Sequence, residues 1–288
     1  MLSKPDIFWQ RIDRFDLPLT NSLALRIYAN TEPHILKIAD LQKGLILVHK
    51  GVEIVGEGMG FGVPILICGD ETYFSATSRL YLRRHSNLTL LRKDFHMDRI
   101  ARNTFRTLKL ENKSIRAGLR YLSGVYQRHS RLRTPMLKLR QAPLKMGFST
   151  IFTKTRPKDT IVMTYLVDGS QIRVTADFSN TMMNDVGKIF IMNEQGAAFL
   201  TRYRDSRGAT LDGKEIDAWN VVDAEWASIT DKHGNVGFRV KRAHNSILRR
   251  GREVQKGVLD WVGLDYEITS RLTSFEYGIE ILGGNLPG

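Results

Sequence analysis

Between Glu215 and Trp226 the chain carries four carboxylates (Glu215, Asp217, Asp223 and Glu225) and two indoles, Trp219 and Trp226, within twelve residues. Paired carboxylates suit sugar chemistry, because one can protonate an oxygen while the other attacks or abstracts. A second acid, Glu194, stands in Asn193-Glu194-Gln195-Gly196, directly after the apolar run Ile189-Phe190-Ile191-Met192. Polar clusters at strand ends are where a rigid scaffold often carries its site. A third, Glu57, lies in Gly56-Glu57-Gly58-Met59-Gly60-Phe61-Gly62-Val63-Pro64. Glycine at every second residue would leave one face of an extended chain bare, open to a ligand or to another backbone. The expected carbohydrate site therefore uses Glu57, Glu194, Asp223 and Glu225 as catalytic carboxylates. Trp219 would bind the substrate, with Arg202 or Tyr203 orienting it. The competing reading is structural: acid-rich loops are common, tryptophan in a β protein is usually core, and alternating glycines also serve tight strand packing.

Other chemistries find no support in the spacing. The glycine-rich stretch does not fit G-x-G-x-x-G, and no Gly-Lys-Ser or Gly-Lys-Thr occurs, so neither nucleotide-binding loop is present. The seven histidines show no metal-ligand spacing, and Cys68, the one cysteine, sits in an apolar run that reads as a buried strand. No G-x-S-x-G nucleophile elbow exists. No metal and no cofactor are expected.

A second constellation is electrostatic. The 288 residues carry a formal charge of +13, yet residues 79–140 hold 17 Lys+Arg against 3 Asp+Glu, and the remainder is close to neutral. Charge confined to one segment points to nucleic acid or another polyanion as a partner, against the alternative of a solvated basic face. Within it, Ile115, Leu119, Leu122 and Tyr126 fall on one stripe of a helix expected near 112–132. Asn112 or Ser114 would cap its start. Arg116, Arg120, Arg128 and Arg131 on its other faces are the residues expected to meet phosphates. The longest uninterrupted apolar run, Val63–Cys68, is far too short to span a bilayer, and the N-terminus lacks a signal-peptide core, so a cytoplasmic location is expected.

The elements that would position these groups read as strands. Gln171–Phe178 alternates with Ile172, Val174, Ala176 and Phe178 on one face. Asp168-Gly169 joins it to the β-rich Thr160–Val167 as a hairpin. Lys50-Gly51, Gly69-Asp70 and His233-Gly234-Asn235 divide three further strand pairs, and Val258–Ile268 alternates for eleven residues with Asp260 off pattern. Strands and turns at roughly ten-residue intervals, without strand–helix alternation, predict a mainly β protein. The expected fold is one large antiparallel β-sandwich domain over residues 1–288, with the basic helix packed on a sheet.

Gly58–Pro64, Asn193–Gly196 and Leu259-Asp260-Trp261-Val262-Gly263-Leu264-Asp265-Tyr266 together resemble a family of uncharacterised archaeal proteins of this length, which implies no function. At the level of architecture the strand order also resembles galactose-mutarotase-like supersandwich proteins. That resemblance implies sugar binding or sugar chemistry with a histidine acid and a late glutamate base. Glu267, Glu276 and Glu280 are late enough, but no histidine has a matching context.

Overall fold

The computed structural model describes residues 8–29, 41–56, 58–68, 71–85, 88–105, 108–109, 148–181, 186–217, 219–255, 259–269 and 272–283. The chain begins with β1 (Gln10–Ile12), β2 (Arg14–Pro18), β3 (Leu23–Tyr28), β4 (Ile46–His49) and β5 (Val52–Glu53). Long strands follow: β6 (Gly60–Cys68), β7 (Glu71–His85), β8 (Leu88–Phe105), β9 (Leu108–Lys109), β10 (Phe148–Asp168), β11 (Gln171–Asp177) and β12 (Val186–Gln195). The last part holds β13 (Arg202–Asp205), β14 (Thr210–Asp212), β15 (Asn220–Val221), β16 (Trp226–Thr230) and β17 (Val236–Lys241). It ends with β18 (Ser246–Gln255), β19 (Leu259–Ile268) and β20 (Ser274–Gly283). The helical segment among the described residues is a single 3-10 turn, Gly213–Ile216. The helix expected near 112–132 lies outside the described residues.

The protein is mainly β. Fourteen strands follow one another in the order β14-β13-β16-β17-β20-β11-β10-β8-β7-β6-β12-β19-β18-β15, with β1 on β7 and β9 on β8. A small sheet, β2-β3-β4-β5, stands beside it. Every strand pair is antiparallel, as hairpin-connected alternation requires. The Lys50-Gly51 and Asp168-Gly169 hairpins form where the sequence places them; Lys50, Gly51 and Gly169 take the positive φ such turns need.

The large sheet folds back on itself, so that its inner faces meet in a sandwich-like core. The Phe61 ring of β6 packs edge-on against Phe238 of β17 at 4.9 Å. Tyr266 of β19 lies 4.7 Å from Tyr277 of β20. The alternating residues Ile172, Val174 and Ala176 are all buried, as are Val262, Leu264, Tyr266 and Ile268. Between them, β14 and β15 occupy opposite ends of the strand order yet are neighbours in sequence. The intervening segment is pinned to β18: the Arg252 N–H donates to the Asp217 carbonyl at 2.8 Å, and Arg250 Nε to the Ile216 carbonyl at 3.3 Å.

One bulge organises the middle of the sheet. Pairing of β6 with β12 shifts register between Met192 and Asn193, leaving Gly62 without an opposite residue. Gly62 has φ +75, the left-handed conformation of a glycine bulge. Its N–H donates to Asn193 Oδ1 at 3.1 Å, and its carbonyl accepts the Tyr165 hydroxyl at 3.1 Å. The alternating-glycine stretch is therefore not one extended bare face. Gly56 and Gly60 also take positive φ, and the observed outcome is close packing.

The small sheet is fastened to the large one by Lys93 of β8. Its buried Nζ donates to the Tyr28 carbonyl at 2.6 Å and the Lys43 carbonyl at 2.5 Å, 5.0 Å from the Phe95 ring centroid. Burial pulls this ammonium down to about 7. Among the described residues of the basic segment, Lys93 and Arg99 are buried.

A methyl group on Gly62 would stand 2.7 Å from the Tyr165 hydroxyl oxygen and force an L residue to φ +75. Gly62→Ala is expected to destabilise the fold by ~2–4 kcal/mol, combining left-handed strain with overpacking. Urea unfolding monitored by fluorescence measures it; a midpoint equal to that of the native protein contradicts this account of the bulge.

Candidate functional site

The strands β12, β19 and β18 lie side by side, and their faces turned away from the core carry a compact set of groups. Gly251 and Gly263 pair directly across the β18–β19 ladder, leaving a side-chain-free floor. On β19, Trp261 and Asp265 flank Gly263, followed by Glu267 on the same face. On β18, Arg249 stands opposite Asp265, and Glu253 opposite Trp261. On β12, Glu194 pairs with Gly263 and Phe190 with Glu267. The floor is tight: a Cβ on Gly263 would fall 2.9 Å from Glu194 Cγ and 3.2 Å from Asp265 Oδ1. A Cβ on Gly251 would fall 2.9 Å from the Trp261 ring and 3.2 Å from the Trp219 backbone nitrogen.

Trp219 closes this face from the segment joining the sheet's two ends. Its ring lies 5.3 Å from Trp261 and 6.4 Å from Phe190. Asp217 and Trp219 have φ of 56 and 59, left-handed values that non-glycine residues hold only when their surroundings impose them. Arg249 Nη1 holds the Trp219 carbonyl at 3.4 Å while its Nε and Nη2 grip Glu267 at 2.7 and 2.6 Å. Lys188 reaches the other Glu267 oxygen at 2.6 Å. Burial alone would raise the Glu267 carboxyl; the hydrogen bonds from Lys188 and Arg249 outweigh it and hold it below the usual range.

Glu194 and Asp265 behave oppositely. Glu194 is 4% exposed and accepts the Met59 N–H at 3.2 Å. Asp265 is fully buried; its Oδ1 accepts the Asn193 N–H at 2.6 Å, and its Oδ2 has no hydrogen-bond partner among the described residues. Burial pushes Glu194 well above its ordinary value, aided by repulsion from Asp265 and opposed by the Met59 N–H and Lys43. Burial likewise pushes Asp265 up to about 7, against the Asn193 N–H. Both carboxyls are thus biased toward the protonated form, mainly by burial.

Of the residues singled out by sequence, Glu194 and Trp219 belong to this assembly. The others do not join it. Asp223 is exposed and paired with Arg207 at 2.8 Å and Arg242 at 3.7 Å. Glu225 is exposed, its N–H on Ser206 Oγ. Arg202 binds Asp212 at 2.8 Å in the β13–β14 hairpin. Tyr203 is buried, its hydroxyl donating to Asp205 at 2.7 Å and its ring beneath Arg250, so it is a packing residue. Trp226 lies against Arg239. Glu57 and the arginines Arg116, Arg120, Arg128 and Arg131 lie outside the described residues. Among the described residues no cluster of three or more His, Cys, Asp or Glu forms a metal site, and no helix is long and apolar enough to cross a membrane.

Asp265, Trp261 and the Gly251–Gly263 pair were not anticipated. In the alternating Leu259–Ile268 strand they occupy the phase opposite the core, or face it from β18, and that phase reads as solvent-exposed. The available signal was composition: Trp261, Gly263, Asp265 and Glu267 share one face, an unusual set for a solvated sheet surface.

The raised carboxyls make a pH prediction. For Asp265 the folded value of about 7 exceeds the ordinary 3.8, so the native state retains a proton that the unfolded chain has released. Its contribution to stability is complete below pH ~4 and is lost as pH rises through ~7, by at most ~1.4 kcal/mol per pH unit. Denaturant unfolding from pH 4 to 7 is expected to show that loss in the native protein and a flatter profile in Asp265→Asn. Equal slopes would mean that Asp265 is ionised in the fold.

No protein-family model matches the chain, and no curated protein matches it. Among solved structures, the Slr1438 protein from Synechocystis sp. PCC 6803 is 11% identical, with 98% of this chain and 100% of that chain covered, at a TM-score of 0.41. HI1317 is 8% identical over 94% of this chain and 99% of that one, at 0.36. At these scores neither likeness carries a fold or a function to this protein.

Proposed function

We propose that this is a carbohydrate-binding or carbohydrate-active β protein whose site is the Glu194–Asp265 pair with Trp219 and Trp261. The observation that carries this reading is the carboxyl pair itself: two buried acids on either side of Gly263, both held toward the protonated form. Two carboxyls biased toward the protonated form on either side of one glycine suit proton transfer to and from sugar oxygens. Trp219, half-buried, offers an indole to the apolar face of a sugar ring. Glu194 and Asp265 are the groups assigned to proton transfer; Trp219 and Trp261 are the binding groups. Arg249 positions Trp219 through its carbonyl and does not itself take part in the chemistry.

Tryptophan fluorescence and saturation-transfer NMR with a panel of mono- and disaccharides test the reading. Binding is expected for at least one sugar, weakened about tenfold or more (~1.4 kcal/mol) in Trp219→Ala. Where a sugar is converted, Glu194→Gln and Asp265→Asn should abolish conversion while retaining binding. A panel in which no sugar produces a signal, in protein whose fold is intact, overturns the proposal.

A further inference from the structure

We infer that the outer face of β1, β7 and β8 binds single-stranded nucleic acid through Arg11, Arg79, Arg83 and Arg92, with Tyr81 as the stacking ring. The inference is independent of the carbohydrate reading, whose groups stand on other strands.

Register assembles the face. Leu80, Leu91 and Phe95 are buried in the core, so the alternate residues of β7 and β8 point the other way. On β7 these are Arg79, Tyr81 and Arg83, with Asp94, Arg92 and Leu90 directly opposite on β8. Arg11 of β1 stands opposite Tyr81 on its other side. Three strands thus set Arg11, Tyr81 and Arg92 in one row, with Arg79 and Arg83 flanking it along β7. Arg11 lies outside the basic segment 79–140, and only the β1–β7 ladder brings it here.

Arginines elsewhere in the fold meet carboxylates, as Arg26 meets Asp16 and Glu53, and Arg239 meets Glu280. On this face that matching stops at one pair. Arg92 takes Asp94 at 2.7 and 3.1 Å, and the other carboxylate acting on Arg92 is Asp177 of β11. Arg11 and Arg79 are exposed and, like Arg83, have no carboxylate partner among the described residues. Arg83 Nε is shut off from solvent and meets no acceptor among those residues. Such a donor is destabilising until an acceptor reaches it.

Guanidinium forks grip phosphate oxygens in pairs, a geometry that a polyanion with repeated phosphates meets at several points. Arg92 also lies over the Tyr81 ring, 5.5 Å from its centroid. Aromatic rings and guanidinium planes are the surfaces on which unpaired bases stack. A duplex keeps its bases inside, and a sulphated glycan has none. Single-stranded nucleic acid therefore fits both the unmatched charge and the ring.

The test is fluorescence anisotropy of the full chain with a labelled oligothymidylate of about 16 nucleotides, the same strand as duplex, and labelled heparin. The single strand is expected to bind, and three phosphate contacts alone weaken it about 20-fold between ~50 and ~200 mM salt. Combining Arg11→Gln, Arg79→Gln and Arg83→Gln should weaken that binding and flatten its salt dependence. Tyr81→Leu should weaken the single strand about tenfold while leaving its salt dependence and heparin binding unchanged. If the triple variant loses the native urea midpoint, Arg11→Gln with Arg79→Gln, both at exposed positions, gives the same readout. A variant lacking these arginines that binds with native affinity and salt dependence overturns the assignment, as does absence of binding at ~50 mM salt. Duplex binding equal to single-strand binding, with no effect of Tyr81→Leu, marks a general polyanion face and overturns the single-strand inference.

Discussion

A single side chain, Asn193, sits where the two faces of the sheet exchange hydrogen bonds. Buried polar groups must find partners or destabilise the fold by ~1–3 kcal/mol each. Asn193 finds three such partners: Oδ1 accepts the Gly62 N–H and the Tyr277 hydroxyl at 2.7 Å, and Nδ2 donates to the Leu264 carbonyl at 3.1 Å. The bulge at Gly62 is tolerable because Asn193 takes up the N–H it strands. Tyr165, Tyr277 and Tyr266 then have polar anchors for their hydroxyls in an otherwise apolar core. On the other side of β12, the backbone N–H of the same residue goes to Asp265, which is how a core requirement reaches the candidate site.

The placement of the carboxyl pair follows from this. Asp265 is drawn inward by the Asn193 N–H, and Glu194, next in sequence to Asn193, by the Met59 N–H. Each is held by one backbone donor, which is less than an ionised carboxylate needs for full compensation. Glu267, two residues further along β19, receives Arg249 and Lys188 and stays ionised. Three carboxyls on one small area of sheet are thus sorted into a neutral-leaning pair and a charged anchor by the number of donors each meets.

Much of the architecture was legible as period-two alternation. Residues such as Ile172, Val174, Val262 and Leu264 report burial directly, and turn residues such as Lys50-Gly51 and Asp168-Gly169 set the hairpins. The site was only partly legible, for a physical reason. Glu194 and Trp219 stood out as an acid at a strand end and an indole in an acidic loop. Asp223 and Glu225 stood out for the same local reason, but their arginine partners on exposed loops hold them elsewhere. Asp265 escaped notice because alternation assigns its face to solvent, and only long-range packing buries it. Gly251 and Gly263 are separated by a hairpin, so their pairing is a property of register, which no local window contains.

The segment between β14 and β15 joins the two ends of the long strand order, and this has a bearing on how the chain assembles. The sheet's neighbours are mostly remote in sequence: β6 pairs β12, β11 and β17 pair β20, and the Tyr165–Gly62 contact spans 103 residues. Closing such loops costs entropy before any contact returns it, so topologies of this kind fold slowly. Local hairpins such as β10–β11, β16–β17 and β18–β19 can form early, because few residues separate their strands. The seam at 213–219 can set only when strands from both halves of the chain are already aligned. Its left-handed Asp217 and Trp219 are then a late-formed clasp, and the glycine floor beside Trp261 is completed only as the sheet closes.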